Sequence, residues 1–264
     1  MKLFADGTLG SRTAALLEPY EGTAETGMDL MPPAELARAV AQAAAGGLSV
    51  AIHAIGDRAV RSALDAIESS AGLLAKLALP PRIEHVQLLH PADRPRFARL
   101  GTWASLQPAH CVADIELAER AWGARTGRSY PWRSLLEGGA SVAFGSDAPV
   151  EAPVPALGLH AALTRQRVDG TPAGGFTPGE CIGLDQALGA YTTGGAALAG
   201  RPAGLGRIAP GCAADLVVWD ADLHRLPASM LHNVRPTCTF LAGEPVHPDP
   251  RARQQDAISS RQGS

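Results

Sequence analysis

Two histidines and an aspartate each stand at the end of a short apolar run, a placement suited to a metal site. Leu48-Ser49-Val50-Ala51-Ile52 leads into His53, and Arg82-Ile83-Glu84 leads into His85. Ala140-Ser141-Val142-Ala143-Phe144 leads through Gly145-Ser146 to Asp147, with Ala148-Pro149 beyond. Neutral imidazole nitrogens and carboxylate oxygens are donors that a divalent ion such as zinc accepts. A carboxylate beside water can also take a proton and return it to a leaving group. In parallel α/β barrels the carboxyl ends of the strands face the loops that build the site, so three such endings in phase point to one mouth.

The elements that must bring these residues together follow a βα rhythm. Five strands with histidine or aspartate endings are read near residues 3, 50, 84, 104 and 142. The continuous apolar character of Leu48 to Ile52 suits a parallel strand buried on both faces. Between them, Pro32-Pro33 opens a helix that stops at Gly46-Gly47, and a second helix runs from Arg58 to Ser69 with Asp57 as its N-cap. Pro91 starts a helix that ends before Gly101, and Trp132 to Glu137 forms one closed by Gly138-Gly139. Glu84 precedes His85 and is expected on the opposite face of its strand as an ion-pair partner. His110 falls in the loop Gln107-Pro108-Ala109-His110 after the fourth run, where it is expected to touch substrate. Beyond Asp147, helices are expected at 156–167 and 177–191. A small β region follows, with strands at 216–220, 234–241 and 245–247.

Several function classes are excluded or disfavoured. The 264 residues are 46% hydrophobic and 19% charged, enough for a large buried core in an α/β domain. A net charge of −3 offers no basic field for nucleic acid. No apolar stretch approaches the roughly 18 residues of a membrane span, and the N-terminus does not resemble a signal peptide. The four cysteines are widely spaced without a C-x-x-C pair, so free thiols and a cytoplasmic location are expected. There is no P-loop, G-x-S-x-G elbow, H-E-x-x-H or dinucleotide fingerprint.

The segments Lys2-Leu3-Phe4-Ala5-Asp6-Gly7, Ile52-His53-Ala54-Ile55-Gly56-Asp57, Arg82-Ile83-Glu84-His85, Phe144-Gly145-Ser146-Asp147-Ala148-Pro149 and Gly211-Cys212-Ala213-Ala214-Asp215-Leu216-Val217-Val218 occur in that order. This set resembles the metal-dependent amidohydrolases, and most closely the family 3 branch that includes N-substituted formamide deformylases. The resemblance implies a partial (β/α)8 barrel, strands four to eight, over residues 1–200. It also implies a small β-sandwich appendage over 201–248, and the polar residues 249–264 are expected to be a disordered tail. It further implies hydrolysis of carbon–nitrogen bonds in a small amide, formamide or cyclic amide by metal-activated water. His53 and His85 match metal ligands, and Asp147 matches the residue that both binds metal and exchanges the catalytic proton. Lys2 matches a ligand that is carboxylated in many members. The implied cofactor is a divalent metal, Zn²⁺, as one or two ions. The family's His-x-His is absent from this sequence. A preceding segment is therefore expected to be missing, with self-association or pairing with that segment as a consequence. The alternative is a catalytically inactive remnant.

Overall fold

A computed structural model describes residues 1–201 and 203–247. Five short strands form one parallel sheet in chain order: β1 (Lys2–Phe4), β2 (Ala51–Ala54), β3 (Arg82–His85), β4 (Trp103–Leu106) and β5 (Val142–Phe144). The five expected strands are thus present, although β2 starts later than its apolar run and holds His53 inside the strand. Parallel strands in chain order with right-handed crossovers place their helices on one face. The helices between the strands are α1 (Pro33–Ala45), α2 (Asp57–Ser69), α3 (Ala71–Leu74), α4 (Arg94–Arg99), α5 (Pro108–Ala113), α6 (Ile115–Trp122) and α7 (Trp132–Glu137).

The core lies between that face and the helices. In α2, Val60, Ala63, Leu64 and Ile67 recur at helical spacing and are buried, as are Leu36, Val40 and Ala43 of α1. Leu3, Ile52, Ile83 and Ala104 point from the strands into the same cluster. The other face of the sheet carries a row fixed by register. Phe4 lies beside His53, His53 beside Glu84, Glu84 beside Ser105, and Ser105 beside Ala143. Phe4 is 51% exposed there, on a strand with a neighbour on one side only.

After β5 come α8 (Pro155–Thr164), α9 (Leu184–Gly189), a π-helical turn (Ala190–Gly194) and α10 (Gly195–Leu198). The π turn packs tightly against β5, where a Cβ on Gly194 would come within 2.6 Å of the Val142 carbonyl oxygen. The helix expected over 177–191 is interrupted. Pro178–Glu180 is a 3-10 turn, and α9 begins afresh at Leu184. A second, antiparallel sheet holds β6 (Leu216–Trp219), β7 (Pro236–Leu241) and β8 (Glu244–His247), with β7 and β8 joined at Ala242-Gly243. The expectation for residues 249–264 lies outside the described residues.

Two local expectations are corrected. Asp57 is the first residue of α2 and caps nothing. Its Oδ1 accepts the Leu17 N–H at 2.9 Å and pins the N-terminal loop to the helix. Gly56 allows that contact, because a Cβ there would sit 2.0 Å from the Ala15 carbonyl oxygen. His110 lies in the helix α5, not in a loop, since Pro108 with its fixed φ starts a helix.

Candidate metal centre and active site

The carboxyl end of the parallel sheet opens into a cavity of about 540 Å³. Its walls include Lys2, His53, His85, Gln87, His110 and Asp147. A recess of about 280 Å³ is lined by Lys2, Glu84, His85, Gln107 and Asp147. All the residues expected from sequence therefore border the same space. They do not converge equally.

His85, His110 and Asp147 form the tightest group, each offering a ligand atom within 4.8 Å of the others. Strand alternation alone would send His85 to the helix side with Ile83. The backbone prevents this. The Val86 N–H donates to the Glu84 carbonyl at 3.1 Å, closing a three-residue turn around His85 at φ 77°. A non-glycine residue in that conformation is strained, and such strain gathers at functional sites. The turn brings His85 and Glu84 to the same recess, which corrects the expected opposite placement. Glu84 does make the expected ion pair, with Arg82 Nε at 2.7 Å. Asp147 also has a left-handed backbone, φ 59°, tolerable for aspartate, in the turn that follows β5.

Hydrogen bonds fix which nitrogens are free. His85 Nδ1 lies 2.9 Å from Gln107 Oε1, and the Gln107 amide donates its N–H to the Ser105 carbonyl. Oε1 must accept, so Nδ1 carries the proton and Nε2 keeps its lone pair. Burial is the main cause that lowers the His85 pKa to about 4, so the ring is neutral at pH 7. His110 Nε2 is buried with no hydrogen-bond partner and stands 3.9 Å from Asp147 Oδ2. The His85 and His110 rings stack with centroids 6.0 Å apart.

His53 packs edge-on against His85, with ring centroids 4.6 Å apart. Its Nε2 donates to the Gly7 carbonyl at 2.9 Å, leaving Nδ1 as its acceptor nitrogen. Burial lowers its pKa, as it does that of Lys2, where Glu84 and Asp147 act in the opposite direction. His53 and Lys2 stand outside the group of three while walling the same cavity.

Sequence reasoning missed two residues that hold this arrangement. Asp6, fully buried, accepts N–H bonds from Ala15, Ile55 and Gly56 at 2.8–3.0 Å and lies 3.6 Å from His53 Nε2. Burial raises its carboxyl to about 7 against those donors. Gln107, which orients His85, is the other. Its place directly after an apolar run was the only signal. Among the described residues no helix is long and apolar enough to cross a membrane.

The Amidohydrolase family pattern matches residues 1–247. The YtcJ protein of Bacillus subtilis (strain 168) is 33% identical over 249 residues, which cover 94% of this chain and 46% of that protein. The N-substituted formamide deformylase of Arthrobacter pascens is 27% identical, over 92% of this chain and 44% of that enzyme. An uncharacterized metal-dependent hydrolase from Pyrococcus horikoshii OT3 superposes with a TM-score of 0.70 at 34% identity. That superposition covers 80% of this chain and 42% of the archaeal one. The chain thus spans less than half the length of these relatives. It belongs to the amidohydrolase family.

Proposed function

We propose that this chain carries the hydrolytic site of a metal-dependent enzyme cleaving non-peptide carbon–nitrogen bonds in small amides, formamides or cyclic amides. The observation that carries this reading is the buried, unpartnered His110 Nε2 converging with His85 and Asp147 on one cavity. The donor set fits a divalent ion of the zinc type, with two imidazole nitrogens and a carboxylate. Ligands on one tetrahedral ion lie roughly 3.3 Å apart, and the small inward rotation needed is open to the half-exposed Asp147. His85, His110 and Asp147 would hold the ion. His53 and a carboxylated Lys2, both named by the family resemblance, would complete a larger set. When bound, such an ion supplies Lewis acidity at the reacting carbonyl and acidifies water at neutral pH.

The protein's own groups supply the rest. Gln107 holds His85 in one tautomer and so presents Nε2. The Asp147 carboxylate takes the proton of the attacking water and delivers it to the departing nitrogen, which would otherwise leave as a poor anion. Phe4 and Leu9 give the cavity an apolar wall on which a substituent can rest. In this reading the five parallel strands are strands four to eight of a (β/α)8 barrel spanning residues 1–200. The sheet β6–β8 belongs to a β-sandwich, and the location is cytoplasmic.

The test is amine release from N-substituted formamides and N-acyl amino acids by the purified chain. Activity should disappear with a chelator, return with Zn²⁺, and fall about 100-fold or more in Asp147→Asn. Failure of the zinc-loaded chain to hydrolyse either class contradicts the proposal for this chain. A second reading is favoured by one observation, the unpaired edge of β1 and its exposed Phe4 at the cavity wall. On that reading, the site is finished by further polypeptide in a second copy or another segment.

A further inference from the structure

One part of the cavity takes no role in holding metal or moving the catalytic proton. Asp114 immediately follows α5 and lines the cavity with Gln87. The Tyr130 hydroxyl donates to Asp114 Oδ2 at 2.7 Å, and Gln87 Nε2 donates to the same oxygen at 3.3 Å. Gln87 is 4% exposed, and its Oε1 is buried without a hydrogen-bond partner. The carboxylate fixes the amide orientation, because turning it over would set oxygen against oxygen. Tyr130 is itself anchored, its N–H donating to the Gln87 carbonyl at 2.7 Å.

The result is a rigid pair of acceptors, one charged, with no cation of the protein bound to it among the described residues. A buried acceptor left unmatched is costly, so Gln87 Oε1 calls for a donor, and the Asp114 carboxylate beside it keeps lone pairs beyond those that Tyr130 and Gln87 use. Charge selects the kind of donor. The cavity walls hold the carboxylates of Asp114, Asp147 and Glu151, and Lys2, the ligand candidate, is the one lysine or arginine among them. The Asp114 N–H donates to the His110 carbonyl at 2.9 Å, so the two residues sit one helical turn apart on the same face.

We propose that Asp114 and Gln87 form a recognition subsite for a cationic N–H donor, an ammonium carried on a substituent of the amide substrate. This inference rests on the amide-hydrolysis reading of the cavity and narrows its substrate class to small amides with an amino-bearing substituent. An ammonium has three donors, enough to meet the Asp114 carboxylate and Gln87 Oε1 together.

The experiment compares three ligands that differ at one terminal atom: N-(3-aminopropyl)acetamide, N-(3-hydroxypropyl)acetamide and N-butylacetamide. Their dissociation constants are measured by calorimetry on the metal-free chain, so hydrolysis plays no part. The expected result is binding of the ammonium compound about tenfold or more tighter than the butyl compound, with the hydroxyl compound between them. In Asp114→Asn the preference should collapse to about twofold or less, while the butyl compound binds as before and reports an intact fold. Equal binding of the three ligands, or a preference that survives Asp114→Asn, overturns the proposal. So does hydroxyl binding as tight as ammonium binding. Hydrolysis by the zinc-loaded chain is scored separately. A preference without turnover sinks the hydrolytic reading and keeps the subsite, whereas turnover without a preference does the reverse.

Discussion

Strand β2 buries all four of its residues, whereas β8 exposes all four. The contrast extends to the sheets they belong to. In the parallel sheet, Ile52, Ile83 and Ala104 are wholly inaccessible beneath the helices. In the antiparallel sheet, Val217, Val218, Leu241 and Val246 are each at least 47% exposed. A parallel sheet whose crossovers are helices has its cover built into the topology. A three-stranded meander brings none and keeps a face open. The difference shows where precision resides. His85 ends a strand whose other face is clamped, Asp147 follows such a strand in its turn, and His110 sits on the helix after one. Clamping makes a strained turn affordable at His85, because the surrounding packing holds the backbone there.

The largest effect expected from breaking this contrast is chemical. His85→Ala should reduce zinc-dependent amide hydrolysis by about 100-fold or more, since it removes a donor from the tightest group. Val218→Ala in β6 should leave the rate within about twofold under the same assay. Comparable losses in both would mean that the antiparallel sheet shapes the site as strongly as the parallel one.

Next comes stability. Ile83→Ala empties a fully buried position between sheet and helices and should cost about 3 kcal/mol. Val218→Ala, 48% exposed, should cost less than about 0.5 kcal/mol. Urea unfolding followed by circular dichroism measures both, and similar midpoints for the two variants would remove the energetic distinction drawn between the sheets.

A smaller effect concerns orientation. Gln107→Leu takes away the acceptor that fixes the His85 tautomer and should weaken zinc affinity about tenfold. Chelator competition measures it, and an unchanged affinity would show that packing alone orients the ring. The smallest effect is a labelling pattern. Cys111 is wholly buried, and burial pushes its thiol up to about 12. It should resist iodoacetamide at pH 8 in the folded chain and react in urea. Cys238 of β7 is only partly covered and should be alkylated in both states, as peptide mass spectrometry would show.

Much of this was legible in the sequence. Strands β2 and β5 announced themselves as short apolar runs bounded by glycine turns, whereas β3, Arg82-Ile83-Glu84-His85, was read from its place in the βα rhythm and its histidine ending. The turn Ala242-Gly243 likewise marked the last hairpin. Other features were written only in tertiary contacts. Nothing in Arg82-Ile83-Glu84-His85 signals a left-handed turn at His85, since no glycine stands there. Asp57 has the right type and place for an N-cap, yet Leu17, forty positions earlier, offers the N–H that it takes. The helical setting of His110 was accessible through Pro108 at the first helical position. Asp6 was not, because its three donors come from two distant segments.

The central claim is that His85, His110 and Asp147 hold one divalent ion. Zinc uptake by the metal-free chain, titrated against a chelator of known affinity, tests it most directly in wild type and His110→Ala. One equivalent of zinc is expected in the wild type, with affinity falling about 100-fold or more in the variant as an orphaned buried ligand is lost. No stoichiometric zinc in the wild type, or the same affinity in His110→Ala, would contradict it.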